Sequence, residues 1–250
     1  MSKKLVTFIT VGYPNLNSSI KYINELIELG VDIIELGLPF SDPIVSNEIL
    51  EKADIESLNN GVTVDDIFTI VKSIQIEYYN KNKKYFKFVL KAYLNTAFRY
   101  GYQIFFDKCK ESHIDSIIFI DMPYEEIEEV KQYDFNIINT ISIGLNDRKK
   151  EIVANSKDFI TLCPNINIKD DISEYIDLVN KDILEIKNIN DKIDIFVSSD
   201  DSILGLVKRV KENANGIVID IGIMEIIDKY KDNASEAIKI FVNDFIEQIK

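Results

Sequence analysis

The sequence is poor in the residues that build metal centres, disulfides and nucleophilic triads. Its 250 residues include one histidine, His113, and two cysteines, Cys109 and Cys163. The cysteines are too far apart for a zinc motif and too few for a disulfide framework. The single histidine leaves a Ser–His or Cys–His pair without a supporting partner, and any metal site would have to consist of carboxylates.

Positive charge is also scarce. The chain has 29 Lys and Arg against 42 Asp and Glu, a formal net charge of -13 and a pI near 4.6. This balance argues against nucleic acid or an anionic membrane as a partner, because both require a basic face. No apolar run approaches the roughly 20 residues of a membrane span, and the N-terminal residues lack a signal-peptide pattern. We therefore expect a cytosolic protein.

No stretch rich in proline, glycine or serine divides the chain, so we expect a single domain over residues 1–250. Within it, apolar β-branched runs alternate with amphipathic segments eight times. The predicted strands are 5–11, 32–36, 86–92, 116–120, 136–143, 158–163, 193–198 and 216–220. The predicted helices are 17–29, 63–79, 101–111, 124–132, 147–155, 172–187, 202–212 and 235–249.

The alternation of strand and helix predicts parallel strands joined by right-handed crossovers. Eight such units in 250 residues predict the α/β class and a closed (β/α)8 TIM barrel. An open doubly wound sheet is the alternative, but no strand is followed by Gly-x-Gly-x-x-Gly. Thr63 is placed to open a helix with a capping box. A short extra helix is expected at 47–58, in the long loop after the second strand.

The segment from Ile33 to Pro43 places one carboxylate, Glu35, in an apolar run that is typical of a buried strand. Burying a glutamate there costs several kcal/mol unless it is paired, hydrogen-bonded or protonated. Because barrel enzymes keep their chemistry at the carboxyl ends of the strands, Glu35 is a candidate catalytic acid. A strand-end glutamate held in a salt bridge is the alternative, and spacing alone favours it.

The motif Glu-Leu-Gly-Leu-Pro-Phe-Ser-Asp-Pro at 35–43 resembles that of the tryptophan synthase α subunit family almost residue for residue. Other segments are similar to the family's strands and loops: 8–14, 60–63, 93–95, 98–101 and 121–126. The resemblance covers the whole length and is dense through about residue 126.

The resemblance implies a TIM barrel that cleaves indole-3-glycerol phosphate by a retro-aldol reaction to indole and glyceraldehyde 3-phosphate. In that family no metal or organic cofactor is needed. The match gives Glu35 the proton-transfer role. Phe8 and Tyr93 would line the indole pocket, although plain barrel core is at least as good an interpretation of both. The resemblance also implies a tryptophan synthase β-type subunit as partner.

The family's second catalytic acid is missing. Ser46 stands at its position, where Val45-Ser46-Asn47-Glu48 replaces Ala-Asp-Gly-Pro. A hydroxyl can accept a hydrogen bond from the indole N–H, but it brings no charge, which is a loss of about 2–4 kcal/mol. Glu48 or Glu51 could replace the acid only by moving in from a non-matching position.

The family's phosphate-binding glycines are also missing. The sixth and seventh strand–loop segments, 162–171 and 195–201, contain no glycine, and the seventh contains Ser198 and Ser199. Asp220 and Ile221 replace Gly-Ser after the eighth strand. A carboxylate about 4 Å from a phosphate charge costs about 4 kcal/mol per charge at an effective dielectric constant of about 20. A register two residues later would offer Gly222 instead.

These departures leave three hypotheses. The first is the family's lyase, with impaired cleavage. The second is a non-catalytic or regulatory barrel that docks a β-type partner. The third is an enzyme that acts on a different, non-phosphorylated substrate, for which Asp220, Asp200 and Glu35 would be polar contacts. The sequence indicates ancestry in the family, and we expect efficient cleavage of the phosphorylated substrate to be lost.

Overall fold

The computed structural model describes residues 3–44, 47–163, 172–199 and 213–249, with the side chains of 172–175 and 199 left undescribed. Within these ranges, eight strands form one parallel sheet in the order β4-β3-β2-β1-β8-β7-β6-β5. They are β1 (Lys4–Thr10), β2 (Ile33–Gly37), β3 (Lys87–Ala92), β4 (Ser116–Phe119), β5 (Asn139–Ser142), β6 (Phe159–Cys163), β7 (Asp194–Ser199) and β8 (Gly216–Ile219).

The sheet curls into a nearly closed barrel. The first and last strands pair from Lys4 with Gly216 to Thr7 with Ile219, so the two ends of the chain meet in the middle of the sheet. Between β4 and β5 the described contact is a single parallel bridge between Ile117 and Ile137. The predicted (β/α)8 TIM barrel is confirmed. Its least extensive strand pairing among the described residues lies between β4 and β5.

Helices follow the strands in the alternating order that the sequence predicts. The described helices are α1 (Leu16–Leu29), α2 (Glu48–Asn59), α3 (Val64–Asn82), α4 (Leu94–Tyr100), α5 (Tyr102–Glu111), α6 (Glu128–Lys131), α7 (Asp147–Asn155), α8 (Ile172–Ile189), α9 (Gly222–Tyr230) and α10 (Ser235–Ile249). The capping box of α3 is confirmed, because the Asp66 N–H donates to Thr63 Oγ1 and the Thr63 N–H donates to the Asp66 carboxylate. The short extra helix is confirmed as α2.

Several element boundaries differ from the predictions. The predicted helix 124–132 is a 3-10 turn at Tyr124–Glu126 followed by the one-turn α6. The predicted strand 136–143 shortens to β5, and the predicted helix 202–212 lies outside the described residues. The short helices α4 and α9 were not predicted, because only one or two loop residues separate each of them from the preceding strand.

The barrel interior is packed by one apolar layer below the carboxyl ends of the strands. Each strand, or the residue next to it, contributes one buried side chain to this layer: Val6, Ile33, Val89, Ile118, Ile138, Phe159, Phe196 and Val218. A second, larger apolar core lies between the strands and the helices outside them. The interior layer closes the barrel from below, so a cavity is open only toward the carboxyl ends.

In the described part of the chain, none of the helices combines the length and apolarity that crossing a membrane would require.

Candidate active site

Strand register places Glu35 inside the barrel. Ile33, two residues earlier on β2, belongs to the interior apolar layer. Because side chains alternate along a strand, Glu35 faces the same side one step nearer the carboxyl end. Its Cα partners are Phe8 on β1 and Val89 on β3. The Glu35 residue is 1% exposed, so the predicted acid is buried above the layer that fills the barrel.

Lys91 on β3 is the cationic partner of Glu35. Its Nζ donates to Glu35 Oε2 at 3.2 Å, and it also lies 5.0 Å from the centre of the Phe8 ring. Glu35 Oε1 is buried and has no hydrogen-bond partner among the described residues. Glu35 is therefore both salt-bridged, as the alternative interpretation expected, and left with one oxygen available for another group.

The same lysine reaches Asp220, the residue at the expected phosphate position. Lys91 Nζ lies 3.0 Å from Asp220 Oδ1, and Ser198 Oγ at the end of β7 donates to Asp220 Oδ2. The side chains of Lys91 and Asp220 are each about a quarter exposed. One lysine therefore joins two carboxylates from β2 and the end of β8, and both oxygens of Asp220 have partners.

Burial and this ionic contact change the proton affinities of the group. Burial raises the pKa of Glu35, with the Lys91 ammonium opposing that rise and the Asp220 charge adding to it. Burial alone would lower the pKa of Lys91, but the Asp220 and Glu35 carboxylates raise it above the usual value. Lys91 therefore stays protonated and cannot act as an amine nucleophile, whereas Glu35 can hold a proton closer to neutral pH than an exposed glutamate.

A cavity of about 670 Å³ opens above these residues, within the roughly 300–1,000 Å³ range of small-molecule sites. The charged side chains that line it are Glu35, Asp54, Lys91, Arg148 and Asp220. Apolar and aromatic residues form most of the remaining wall, including Phe8, Leu38, Leu50, Tyr93, Ile118, Phe119, Met122 and Tyr124. The cavity is therefore an aromatic-lined pocket with the Glu35 carboxyl group at its floor.

Asp54 brings a third carboxylate to this cavity, beside those of Glu35 and Asp220. It lies on α2, where Asn47, Leu50 and Asp54 line the cavity at helical spacing while Glu48 and Glu51 do not. Burial raises the pKa of Asp54 to about 7, with the Phe40 backbone amide opposing the rise. Asp54 can therefore change its charge close to neutral pH.

Two aromatic contacts shape the wall next to Glu35. A Cβ on Gly37 would lie 2.6 Å from the Phe8 ring, so the absence of a side chain there makes room for Phe8. Tyr93 stacks on Phe40 with ring centroids 4.3 Å apart, and its hydroxyl accepts from the Ile44 N–H at 3.0 Å. The loop that carries the 35–43 motif is thereby fixed to the end of β3.

A polar cluster at the rim fixes α2 to α9. Asp228 accepts a hydrogen bond from the Tyr13 hydroxyl and pairs with Lys52 at 2.7 Å and Lys231 at 2.9 Å. Hydrogen bonds from Lys52, Tyr13 and Lys231 hold the pKa of Asp228 well below its usual range. Because Asp54 lies on α2 and Asp220 lies two residues before α9, this cluster helps to position both.

The structure brings most of the predicted site residues together. Those that line the one cavity are Phe8, Glu35, Tyr93, Ser198, Asp220 and Ile221. Outside the described residues lie Ser46, the side chain of Ser199, Asp200 and the loop 164–171 after β6. Gly222 is buried at the start of α9 and does not line the cavity, so Asp220 and Ile221 occupy the β8 position there.

Sequence reasoning missed Lys91 and Asp54. Lys91 interrupts the apolar strand 86–92 in the same way that Glu35 interrupts β2, so the same criterion would have found it. Asp54 carries no such sign, because acidic residues on a surface helix are common. In the described ranges, no three His, Cys, Asp or Glu side chains are grouped so that they could hold a metal ion.

The fold and the site define a TIM-barrel protein with an acid-containing pocket at the carboxyl ends of its strands. The family model for the tryptophan synthase alpha chain matches residues 1–249. The chain belongs to the tryptophan synthase alpha chain family.

Individual relatives agree with this assignment. The tryptophan synthase alpha chain of Clostridium acetobutylicum is 36% identical over 72% of this chain and 70% of its own length. That of Thermoanaerobacter sp. strain X514 is 31% identical over 98% of this chain and 93% of its own. The solved tryptophan synthase complex of Pyrococcus furiosus contains a similar chain, with 25% identity, a TM-score of 0.81 and coverage of 99% of this chain and all of that one.

Proposed function

We propose that this chain is a lyase of the tryptophan synthase α type, which uses Glu35 to cleave a 3-substituted indole by a retro-aldol reaction. The observation that carries the proposal is Glu35 Oε1, a buried oxygen without a hydrogen-bond partner in the described part of the chain, at the base of an aromatic-lined cavity of about 670 Å³. The raised pKa of Glu35 supports a role as proton donor near neutral pH.

In the proposed step, protonated Glu35 gives its proton to C3 of the indole ring. The bond from C3 to the side chain then breaks, and its electron pair passes into the ring and neutralises the positive charge on the ring nitrogen. The electron pair of the O–H bond on the adjacent carbon forms the C=O bond of the aldehyde. The hydroxyl proton returns to the Glu35 carboxylate. One proton leaves Glu35 and one comes back, so indole and an aldehyde form without net change in the protein.

Asp54 supplies the second carboxylate in this proposal. Positive charge develops on the indole nitrogen when C3 is protonated, and a carboxylate that accepts the ring N–H stabilises it. Asp54 faces the same cavity as Glu35 from α2, and Tyr93, which also lines the cavity, would contact the ring. The half-buried Asp54 thereby supplies the negative charge beside the ring N–H, which the hydroxyl of Ser46 cannot supply.

The contact between Lys91 and Glu35 makes a slow enzyme the expected outcome. An ammonium 3.2 Å from Glu35 favours its carboxylate form and opposes positive charge on the ring. We therefore expect turnover well below that of a barrel whose acid has no cationic neighbour.

Indole release by the purified chain tests the proposal. The substrates are indole-3-glycerol phosphate and the dephosphorylated indole-3-glycerol, and the variants are Glu35→Gln and Glu225→Gln. Glu225 is an exposed residue of α9 and does not line the cavity. We expect release by the wild type and by E225Q, and a loss of at least about a hundredfold in E35Q. Release from neither substrate, or release undiminished in E35Q, would refute the proposal.

We also propose a tryptophan synthase β-type subunit as partner. The Pyrococcus relative was solved as a tryptophan synthase complex. The two most exposed large apolar side chains of the described residues lie on segments that follow barrel strands: Ile44 after β2 is 68% exposed, and Phe98 on α4 after β3 is 65% exposed. Exposed apolar residues at the carboxyl-end rim suit a protein contact.

Co-elution with a β-type subunit on size-exclusion chromatography tests the partner. Phe98→Asp should abolish co-elution. Ile240→Asp, on α10, should not, although Ile240 is also more than half exposed. Equal effects of the two variants, or absence of co-elution with the wild type, would contradict this partner.

A further inference from the structure

Among the residues that the structure describes, both cations that line the cavity already have carboxylate partners. Among the described lining residues the cations are Lys91 and Arg148. Lys91 contacts Glu35 and Asp220, and Arg148 binds Glu125 through two hydrogen bonds of 2.6 and 2.7 Å. Three carboxylates face the same cavity, those of Glu35, Asp54 and Asp220. To pair with either of these cations, a phosphate would have to displace an existing ion pair, and at the end of β8 it would meet the Asp220 carboxylate.

The same cavity contains unpaired oxygens that suit an uncharged ligand. Glu35 Oε1, Thr10 Oγ1 and Thr161 Oγ1 are buried without a hydrogen-bond partner among the described residues, and all three residues line the cavity. Thr10 is 1% exposed and Thr161 is 4% exposed. Unsatisfied buried oxygens of this kind are uncommon in folded proteins, and hydroxyl groups on a ligand would satisfy them.

From these two observations we infer that the site takes an indolyl ligand with an uncharged, hydroxyl-bearing side chain in preference to a phosphorylated one. The inference rests on the proposed function, because it names the substrate class of the same pocket. The Asp220 carboxylate, held by Lys91 and Ser198, occupies the end of β8 as a built-in anion. A neutral hydroxyl can contact this group, whereas a phosphate is repelled by it.

Two unreactive probes test this preference by binding alone. Indole-3-propanol and its phosphate ester differ only in the charged group. The chain contains no tryptophan, so the fluorescence of the indole ring reports the ligand without background from protein indole. We expect the alcohol to bind at least tenfold more tightly than the phosphate ester. Equal or tighter binding of the phosphate ester, or no binding of either probe, would overturn the inference.

The variant Asp220→Asn tests whether the Asp220 carboxylate causes this preference. Removing the carboxylate charge removes the repulsion and one of the two partners of Lys91, so the phosphate ester should bind at least tenfold more tightly than to the wild type while the alcohol changes less than threefold. Glu225→Gln, with the same loss of charge outside the cavity, should change neither. Unchanged selectivity in D220N would overturn the assignment to Asp220.

The outcomes separate this inference from the proposed function. Preferential binding of the alcohol without indole release from either substrate would sustain the inference and refute the lyase. Indole release from the phosphorylated substrate, together with tighter binding of the phosphate ester, would sustain the lyase and refute the inference.

Discussion

Lys91 Nζ lies 3.0 Å from Oδ1 of Asp220, although β3 and β8 are separated in the sheet by β2 and β1. The Lys91–Asp220 pair spans the mouth of the barrel. Lys91 Nζ also lies 3.2 Å from Glu35 Oε2, so the three side chains form one ionic group. The proposed proton-transfer group is therefore electrostatically coupled to the position at which the family would bind phosphate. A change at either carboxylate alters the other through Lys91.

A double-mutant cycle on Lys91 and Asp220 measures this coupling. Lys91→Met leaves two like charges facing each other with no cation, and we expect the free energy of unfolding to fall by about 2–4 kcal/mol. Asp220→Asn should cost less, because Lys91 still pairs with Glu35. The double variant should be more stable than the sum of the single effects by about 1–2 kcal/mol in urea unfolding. Additive effects would show that the pair is not coupled.

Asp54 should control the acidic side of the pH profile. Its carboxylate form accepts the ring N–H, so kcat/KM for indole release should rise with pH up to about 7, the pKa of Asp54. Asp54→Asn should lower kcat/KM about 10- to 100-fold and remove this rise. A rise that persists unchanged in D54N would assign it to another group.

The same residue predicts a pH dependence of stability. The pKa of Asp54 is raised on folding, so its favourable contribution is complete below about pH 4 and is lost as pH rises toward about 7. Asp54→Asn should therefore gain stability relative to the wild type at pH 8 and not at pH 4, measured by urea unfolding. Asp244→Asn, an exposed site on α10, serves as the charge control and should show no such difference.

Gly37 should tolerate no side chain. A Cβ there would lie 2.6 and 2.8 Å from two atoms of the Phe8 ring, so Gly37→Ala forces the ring away from the strand. We expect a loss of about 1–3 kcal/mol in unfolding free energy and weaker binding of indole-3-propanol. Gly30→Ala, where no atom lies within 4 Å of the added carbon, should leave ligand binding unchanged. Wild-type binding in G37A would show that Phe8 does not shape the pocket.

Asp228 should stabilise the rim at neutral pH. Its pKa is depressed by hydrogen bonds from Lys52, Tyr13 and Lys231, so its contribution is present above the unfolded value of about 4 and is lost as pH falls below it. Asp228→Asn should cost about 1–3 kcal/mol at pH 7, and this difference should shrink in acid. A cost independent of pH would indicate that packing, rather than charge, holds α2 to α9.

The barrel could be predicted because eight apolar runs alternate with amphipathic segments. Glu35 could be predicted as a site residue because a charged side chain in an apolar strand is costly to bury unless it has a partner or a function. The pairing of Lys91 with Asp220 could not, since the two residues are 129 positions apart and meet only when the barrel closes. Asp54 was missed because its direction depends on how α2 packs over the strand ends, which the helical pattern does not fix. The single-domain organisation stays a prediction.

The role of Glu35 as proton donor is the central claim, and a single turnover in D2O tests it most directly. The wild type should release indole that carries one deuterium at C3, because the proton delivered there exchanges with solvent while it resides on Glu35. Glu35→Gln, shown to be folded by circular dichroism, should release no indole above the buffer control. Release of indole by E35Q at the wild-type rate, or indole without deuterium from the wild type, would contradict the account.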